Sequence, residues 1–138
     1  VATSSTITLA VDTISYVNYT GAAACAATLP AAAAGSVVVY VQTKDTAGGT
    51  ATLSFDCAGS DVYKTGSIIE SRGSSEVSFD SSAANETLLT FTPANAATNL
   101  LTTSGKIYFV CYEKGTWTIA YDLASAAAAV TGAFVFAS

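Results

Sequence analysis

Any chemistry in this 138-residue sequence has to come from ten carboxylates, three cysteines, seven tyrosines and five basic side chains, because histidine is absent. Without histidine there is no His-based triad and no imidazole general base. A cysteine nucleophile needs some other base beside it, and the sequence offers no such pairing. Two carboxylates facing each other across a cleft can hydrolyse glycosides. Asp56 with Asp61, and Glu76 with Asp80, are near in sequence, but these acids fall in turn-rich stretches where carboxylates stand in solvent. Zinc takes clustered Cys and His ligands, whereas Cys25, Cys57 and Cys111 are far apart. Calcium takes several oxygens from one or two loops. Asp56, Asp61 and Glu70 supply oxygens without the DxDxDG pattern. The expectation is a chain that is not an enzyme and holds no metal or cofactor.

The odd cysteine count does not read as a disulfide framework. Each thiol sits among small or apolar residues, as buried free cysteines do. That suits assembly in a reducing compartment, although one disulfide with a spare thiol remains open. The aromatic side chains Tyr16, Tyr19, Tyr63, Tyr108, Tyr112, Trp117 and Tyr121 have two readings. Flat rings can stack on sugars, or they can fill a core and pair across strands. Trp117 and Tyr121 lie on an alternating strand and are read as core. An exposed aromatic face is sought around Tyr63 or Tyr112.

Hydrophobic residues make up 51% of the chain and charged residues 11%, against roughly 25% charged in ordinary soluble domains. Mean hydropathy is +0.46. So few charges protect a free monomer poorly against association, which points to a surface partly covered by partners. The net charge is −5, and Lys44, Lys64, Arg72, Lys106 and Lys114 are scattered. Neither nucleic acid nor an anionic membrane is therefore an expected partner. No apolar run reaches the ~18–20 residues of a membrane span, since residues 123–137 are alanine-rich and broken by Gly132. No basic and apolar leader opens the sequence. A start at Val1 fits removal of an initiator Met or maturation by a protease.

Positioning these residues falls to β-structure. Residues 5–11 (STITLAV) alternate, with Ile7, Leu9 and Val11 on one face, and 14–19 resume extended structure after Asp12-Thr13. Residues 25–29 make a short strand stopped by Pro30, and 31–34 leave room for one helical turn. Residues 36–43 (SVVVYVQT) form the strongest strand. Their unbroken β-branched run implies burial on both faces, as in a sandwich or at an interface. Leu53 and Phe55 then share a face. Short strands are expected at 62–63, 67–70, 76–79 and 87–92, and a hairpin at 106–121 turns at Glu113-Lys114-Gly115. Residues 123–130 read as a short helix or an extended arm. The result is a single all-β domain over 1–138, a β-sandwich, jelly roll or small barrel of about eight to ten short antiparallel strands. A flexible arm at 1–6 precedes it and an apolar strand at 132–138 ends it.

Three stretches together resemble a known group. They are Ala27-Thr28-Leu29-Pro30 followed by Gly35-Ser36-Val37-Val38-Val39; Asp45-Thr46-Ala47-Gly48-Gly49-Thr50-Ala51-Thr52-Leu53; and Gly115-Thr116-Trp117-Thr118-Ile119. They look like the small all-β structural proteins of tailed bacteriophages, particularly head decoration (cement) proteins. The resemblance spans residues 27–53 and 106–121. It implies a virion subunit, often a homotrimer at local three-fold positions, assembled in the host cytoplasm. Such a subunit binds the major capsid protein on the outside of the mature capsid and stabilises contacts between capsid subunits. A fibre, tail or surface module that binds glycans through aromatics is the alternative, and a glycan-active enzyme ranks third. On the decoration reading the termini are the contact elements: Val1, Ala2 and Thr3 in the arm, and Phe134, Val135 and Phe136 in the last strand. That last strand either completes the chain's own sheet or adds to a neighbouring subunit.

Overall fold

The alternating residues become short strands separated by tight turns. The computed structural model describes residues 5–46, 51–72, 77–93, 101, 103–123 and 134–138. The strands are β1 (Ser5–Thr8), β2 (Thr13–Val17), β3 (Cys25–Thr28), β4 (Val37–Gln42), β5 (Leu53–Asp56), β6 (Val62–Tyr63), β7 (Ile68–Arg72), β8 (Val77–Ser81), β9 (Leu88–Phe91), β10 (Lys106–Glu113), β11 (Thr116–Asp122) and β12 (Phe134–Ala137). Among the described residues there is no helix. The stretch 31–34, which leaves room for one helical turn but reads as a turn after Pro30, is irregular and closes in a turn at Ala34 and Gly35, where Gly35 takes φ +90°.

Ten of the strands form two five-stranded sheets. Sheet I runs β1-β3-β5-β9-β12 and sheet II runs β2-β4-β10-β11-β6, while β7 and β8 pair with each other as a hairpin. Neither sheet closes into a barrel, so the architecture is sandwich-like, within the all-β class expected. Among the described residues the strands number twelve, where about eight to ten are expected, and they are not uniformly antiparallel. Five pairings are antiparallel, and four are parallel: β1 with β3, β3 with β5, β2 with β4, and β6 with β11. The reason is connectivity. From β1 to β6 the chain crosses to the facing sheet at every step. Each return to a sheet is thus a full crossover, and the crossover element is a strand of the other sheet where a helix would usually serve.

Alternation sends one side of each strand between the sheets. Phe55 of sheet I meets Tyr40 edge-on, with ring centroids 5.0 Å apart, and also meets Phe109 at 5.1 Å. Tyr63 meets Phe136 at 5.2 Å and Phe91 meets Phe134 at 5.0 Å. Trp117, Leu53, Leu89 and Ile107 are fully buried with them, each such side chain contributing about 1.5–3 kcal/mol of burial. The hairpin of β10 and β11 turns at Lys114-Gly115, with Gly115 at φ +84°. There the backbone conformation, more than space, calls for glycine, since a Cβ would meet Asp61 Oδ1 only at 3.7 Å. Val11, expected beside Ile7 and Leu9, is exposed instead. The turn that sets Asp12 at φ +53° and hands its N–H to the Val37 carbonyl (2.7 Å) ends the alternation one residue early.

The segments foreseen at the ends are only partly within view. Ser5 and Thr6 of the expected arm belong to β1, paired with Cys25 and Ala26, while Val1, Ala2 and Thr3 lie outside the described residues, as does nearly all of 123–130. At the other end, β12 completes sheet I against β9.

Candidate binding face

The outward sides of the two sheets differ in chemistry, and sheet II carries the candidate site. Register aligns Ile14, Val39, Tyr108 and Ala120 in one row across β2, β4, β10 and β11. The next row is Tyr16, Val41, Lys106 and Asp122, and beyond the first row stand Val37, Val110 and Thr118. The same alternation that buries Ile107, Phe109 and Cys111 turns Tyr108, Val110 and Tyr112 outward. Ile14 is 53% exposed, Tyr16 59% and Tyr112 77%. The charges in these rows are Lys106 and Asp122, which face each other at 3.7 Å, so the face is close to neutral. Aliphatic and aromatic groups therefore stand on the outer side of the sheet, exposed at Ile14, Tyr16 and Tyr112, half-buried at Val39, Tyr108 and Val110 and buried at Val41, and an apolar patch of this kind marks a binding surface.

The β4 strand that supplies the middle of this face is held by polar contacts at its end. Gln42 is fully buried. Its Nε2 donates to the Tyr19 carbonyl at 2.5 Å and to the Lys44 carbonyl at 2.5 Å, and its Oε1 accepts from the Tyr40 hydroxyl. Its backbone N–H donates to the Gly105 carbonyl at 2.8 Å. Just beyond, Asp45 Oδ1 accepts from the Thr103 N–H at 2.6 Å and from its hydroxyl at 2.9 Å. Those bonds hold the Asp45 carboxyl below the usual carboxylate range. The loop leaving β4 is thereby tied to the loop entering β10, fixing the two central strands of the face.

The residues singled out for catalysis are not brought together. Asp56 faces outward on sheet I. Asp61 Oδ2 accepts the Ala32 N–H at 2.7 Å and braces a loop. Asp80 Oδ2 accepts the Phe136 N–H at 2.6 Å, and Glu76 lies outside the described residues. Among the described residues no three Cys, Asp or Glu side chains are grouped to hold a metal. All three cysteines are free and buried. Burial pushes the Cys57 thiol up to about 12, against a partly offsetting hydrogen bond with Tyr63, and the charges of Asp56 and Asp61 add to the rise. Burial also raises Cys25. Thiols held protonated in this way are poor nucleophiles.

Of the expected aromatic positions, Tyr112 is exposed but Tyr63 is fully buried, its hydroxyl donating to the Phe55 carbonyl at 2.8 Å. Trp117 is core, as read, and Tyr121 packs partly buried against it. Of the expected contact residues at the C-terminus, Phe134 and Phe136 point into the chain's own core, and Val135 between them is 46% exposed. The sequence reading did not name Ile14, Val39 or Val110 as site residues. The signal available for Val39 was the run 37–41, which resolves into Val38 and Tyr40 inside and Val37, Val39 and Val41 on the outer side, where Val37 and Val39 are half-buried and Val41 is buried. No family model, curated protein or solved structure matches the chain.

Proposed function

We propose that this chain is a virion structural protein, a head decoration subunit that binds the outside of a mature capsid and stabilises the contacts between capsid subunits. The observation that carries this reading is the neutral, apolar outer face of sheet II, built on β4 and β10 and held by Gln42 and Asp45. It is supported by the resemblance of residues 27–53 and 106–121 to phage decoration proteins and by the low share of charge, 11%. A face of four short strands is small beside a stable two-protein interface, which takes ~800 Å² from each partner. It becomes effective when many copies engage one lattice, because a ligand that binds only the mature state stabilises that state. The proposed partners are the major capsid protein and further copies of this chain in a homotrimer. Quantitative mass spectrometry of purified particles tests the reading through the ratio of this chain to the major capsid protein. A ratio near one, or a simple fraction consistent with trimers, supports it. Absence from the particle overturns it.

One observation favours a second reading. Tyr16, Tyr108 and Tyr112 stand on the same outer face, and tyrosine rings bind sugars through their apolar faces. On that reading the chain is a fibre, tail or surface module that engages neutral glycans. A handful of copies per particle, together with retention on a glycan array, would favour it.

A further inference from the structure

Strand β12 fills a slot that is lined on both sides. On one side it pairs antiparallel with β9, from Phe134 opposite Phe91 to Ala137 opposite Leu88, and the Ala137 carbonyl accepts from the Thr87 N–H at 2.9 Å. On the other side it packs against the β7–β8 hairpin, where Asp80 Oδ2 accepts from the Phe136 N–H at 2.6 Å. That hairpin is braced at its base. The Ser67 N–H donates to the Ser82 hydroxyl oxygen at 3.0 Å, and the Ser82 N–H donates to the Ser67 carbonyl at 2.9 Å. The floor of the slot is core, since the Phe134 ring meets Phe91 at 5.0 Å and the Phe136 ring meets Tyr63 at 5.2 Å. The slot thus takes an uncharged strand with two aromatic rings two residues apart and an N–H aimed at Asp80. In the whole sequence Phe134 and Phe136 are the only two phenylalanines at that spacing, so the strand that fits is β12.

The connection that carries β12 is long for the gap it crosses. β11 finishes at Asp122, opposite Lys106, which itself pairs with Val41. β12 starts at Phe134, opposite Phe91, whose ring meets Tyr19 just beyond β2 at the same end of the sandwich. Packed sheets lie ~10 Å apart. Residues 124–133 join Leu123 to Phe134, with no charge and no proline among them, and a stretch of this length reaches roughly 33–36 Å when extended. That reach is enough to set β12 in the slot of an adjacent copy as well as in its own.

We propose that β12 is an exchangeable strand: the slot between β9 and the β7–β8 hairpin of one copy receives β12 of a second copy, and strand exchange joins copies of this chain. Every contact made within one chain is made again between two, the Asp80 bond included, so exchange sacrifices no packing. Chain concentration then decides which form prevails, and copies held side by side favour the exchanged one. The inference is independent of what the outer face of sheet II binds.

Two variants of the full chain test it, Thr90→Cys on β9 and Val135→Cys on β12. The two positions stand opposite each other on the outer side of sheet I, and antiparallel partners lie ~4.5–5.5 Å apart, within disulfide reach. Cys25, Cys57 and Cys111 are buried in the folded chain and do not compete. The variants are unfolded together, refolded over a concentration series and then oxidised, and the bond between positions 90 and 135 is read by peptide mass spectrometry. Between these two chains an exchanged strand brings the thiols into register. The expected result is a bond whose share rises with refolding concentration. It should exceed, by on the order of 10-fold or more, the bond formed by Val135→Cys with Thr6→Cys at the far edge of sheet I, where collision alone joins the thiols. A 90–135 bond no more abundant than that control overturns the exchange. The double variant in a single chain checks the geometry at high dilution. If it forms no bond there or does not fold, Leu88→Cys with Ala137→Cys, the neighbouring pair of the register, carries the same readouts.

Discussion

The two sheets share one core but present opposite surfaces. The outward rows of sheet I read Thr6, Ala26, Ser54, Thr90, Val135 and Thr8, Thr28, Asp56, Leu88, Ala137. Hydroxyls and small side chains dominate them, and water satisfies these at little cost. The outward rows of sheet II read Ile14, Val39, Tyr108, Ala120 and Tyr16, Val41, Lys106, Asp122. The inner sides of both sheets are largely apolar, Gln42 being the buried polar exception on sheet II, so folding alone does not require the outer difference. A sheet with one wet face normally alternates apolar with polar residues; sheet I keeps that pattern and sheet II departs from it. The departure costs solubility without adding to the core, which is why it reads as a surface kept for a partner.

Breaking the core should erase the comparison, since both faces hang on it. Phe55 lies between the sheets against Tyr40 and Phe109, so Phe55→Ala is expected to lose about 3–5 kcal/mol of stability in denaturant unfolding. A loss under ~1 kcal/mol would mean that the sheets are not joined through this ring. The next largest effect should separate the faces. Val39→Lys with Tyr108→Lys is expected to weaken binding to purified particles on the order of 100-fold with little change in melting temperature, because the interface would have to bury unpaired charges. Ser54→Lys with Thr90→Lys on sheet I should leave binding within ~3-fold, as surface changes away from an interface do. Equal losses from the two pairs would remove the distinction between the faces.

The legible part of this molecule was its period. The hairpin at 106–121 follows its alternation closely, with Ile107, Phe109, Cys111, Trp117 and Ile119 inside. Period two names the face a residue takes but not the strand beside it, so the parallel neighbours of β3 and β4 were not readable, since they come from segments separated by a whole strand of the other sheet. Alternation also failed where the chain turns. Val11 fell out of phase at Asp12, and Tyr63 sits on a two-residue strand too short to show any period. The candidate face was half visible: the run 37–41 signalled two covered sides, but only the register with Ile14, Tyr16, Tyr108 and Val110 shows that the second side is a continuous surface. The edge contact of Asp80 with Phe136 joins residues 56 apart, and no local pattern announces it.

Loosening the sheet II face from beneath, without changing a residue on it, should give smaller effects. Gln42→Leu is nearly equal in size and deprives the Tyr40 hydroxyl and the Tyr19 and Lys44 carbonyls of their partner. The expected cost is about 2 kcal/mol, read as a lower denaturation midpoint, with the amides of β4 exchanging faster than those of β5. Uniform exchange in both sheets would show that Gln42 does not hold this face in particular.

Asp45 gives the smallest effect and a direction in pH. Its carboxyl is held below the usual range by the Thr103 N–H and hydroxyl. A group bound more tightly when ionised stabilises the folded state above its unfolded pKa, near 3.9 for Asp, and that contribution fades as pH falls through the lower folded value. The site is exposed, so solvent screening keeps the contribution small. Asp45→Asn, a neutral mimic of the protonated acid, should melt slightly below wild type at pH 7, and the two curves should converge as pH falls below the ordinary carboxylate range. A gap of constant size across that range would show that the ionised carboxylate is not what ties the β4 exit to the β10 entry, leaving the neighbouring Thr46–Leu101 backbone bond at 2.9 Å to hold those loops together.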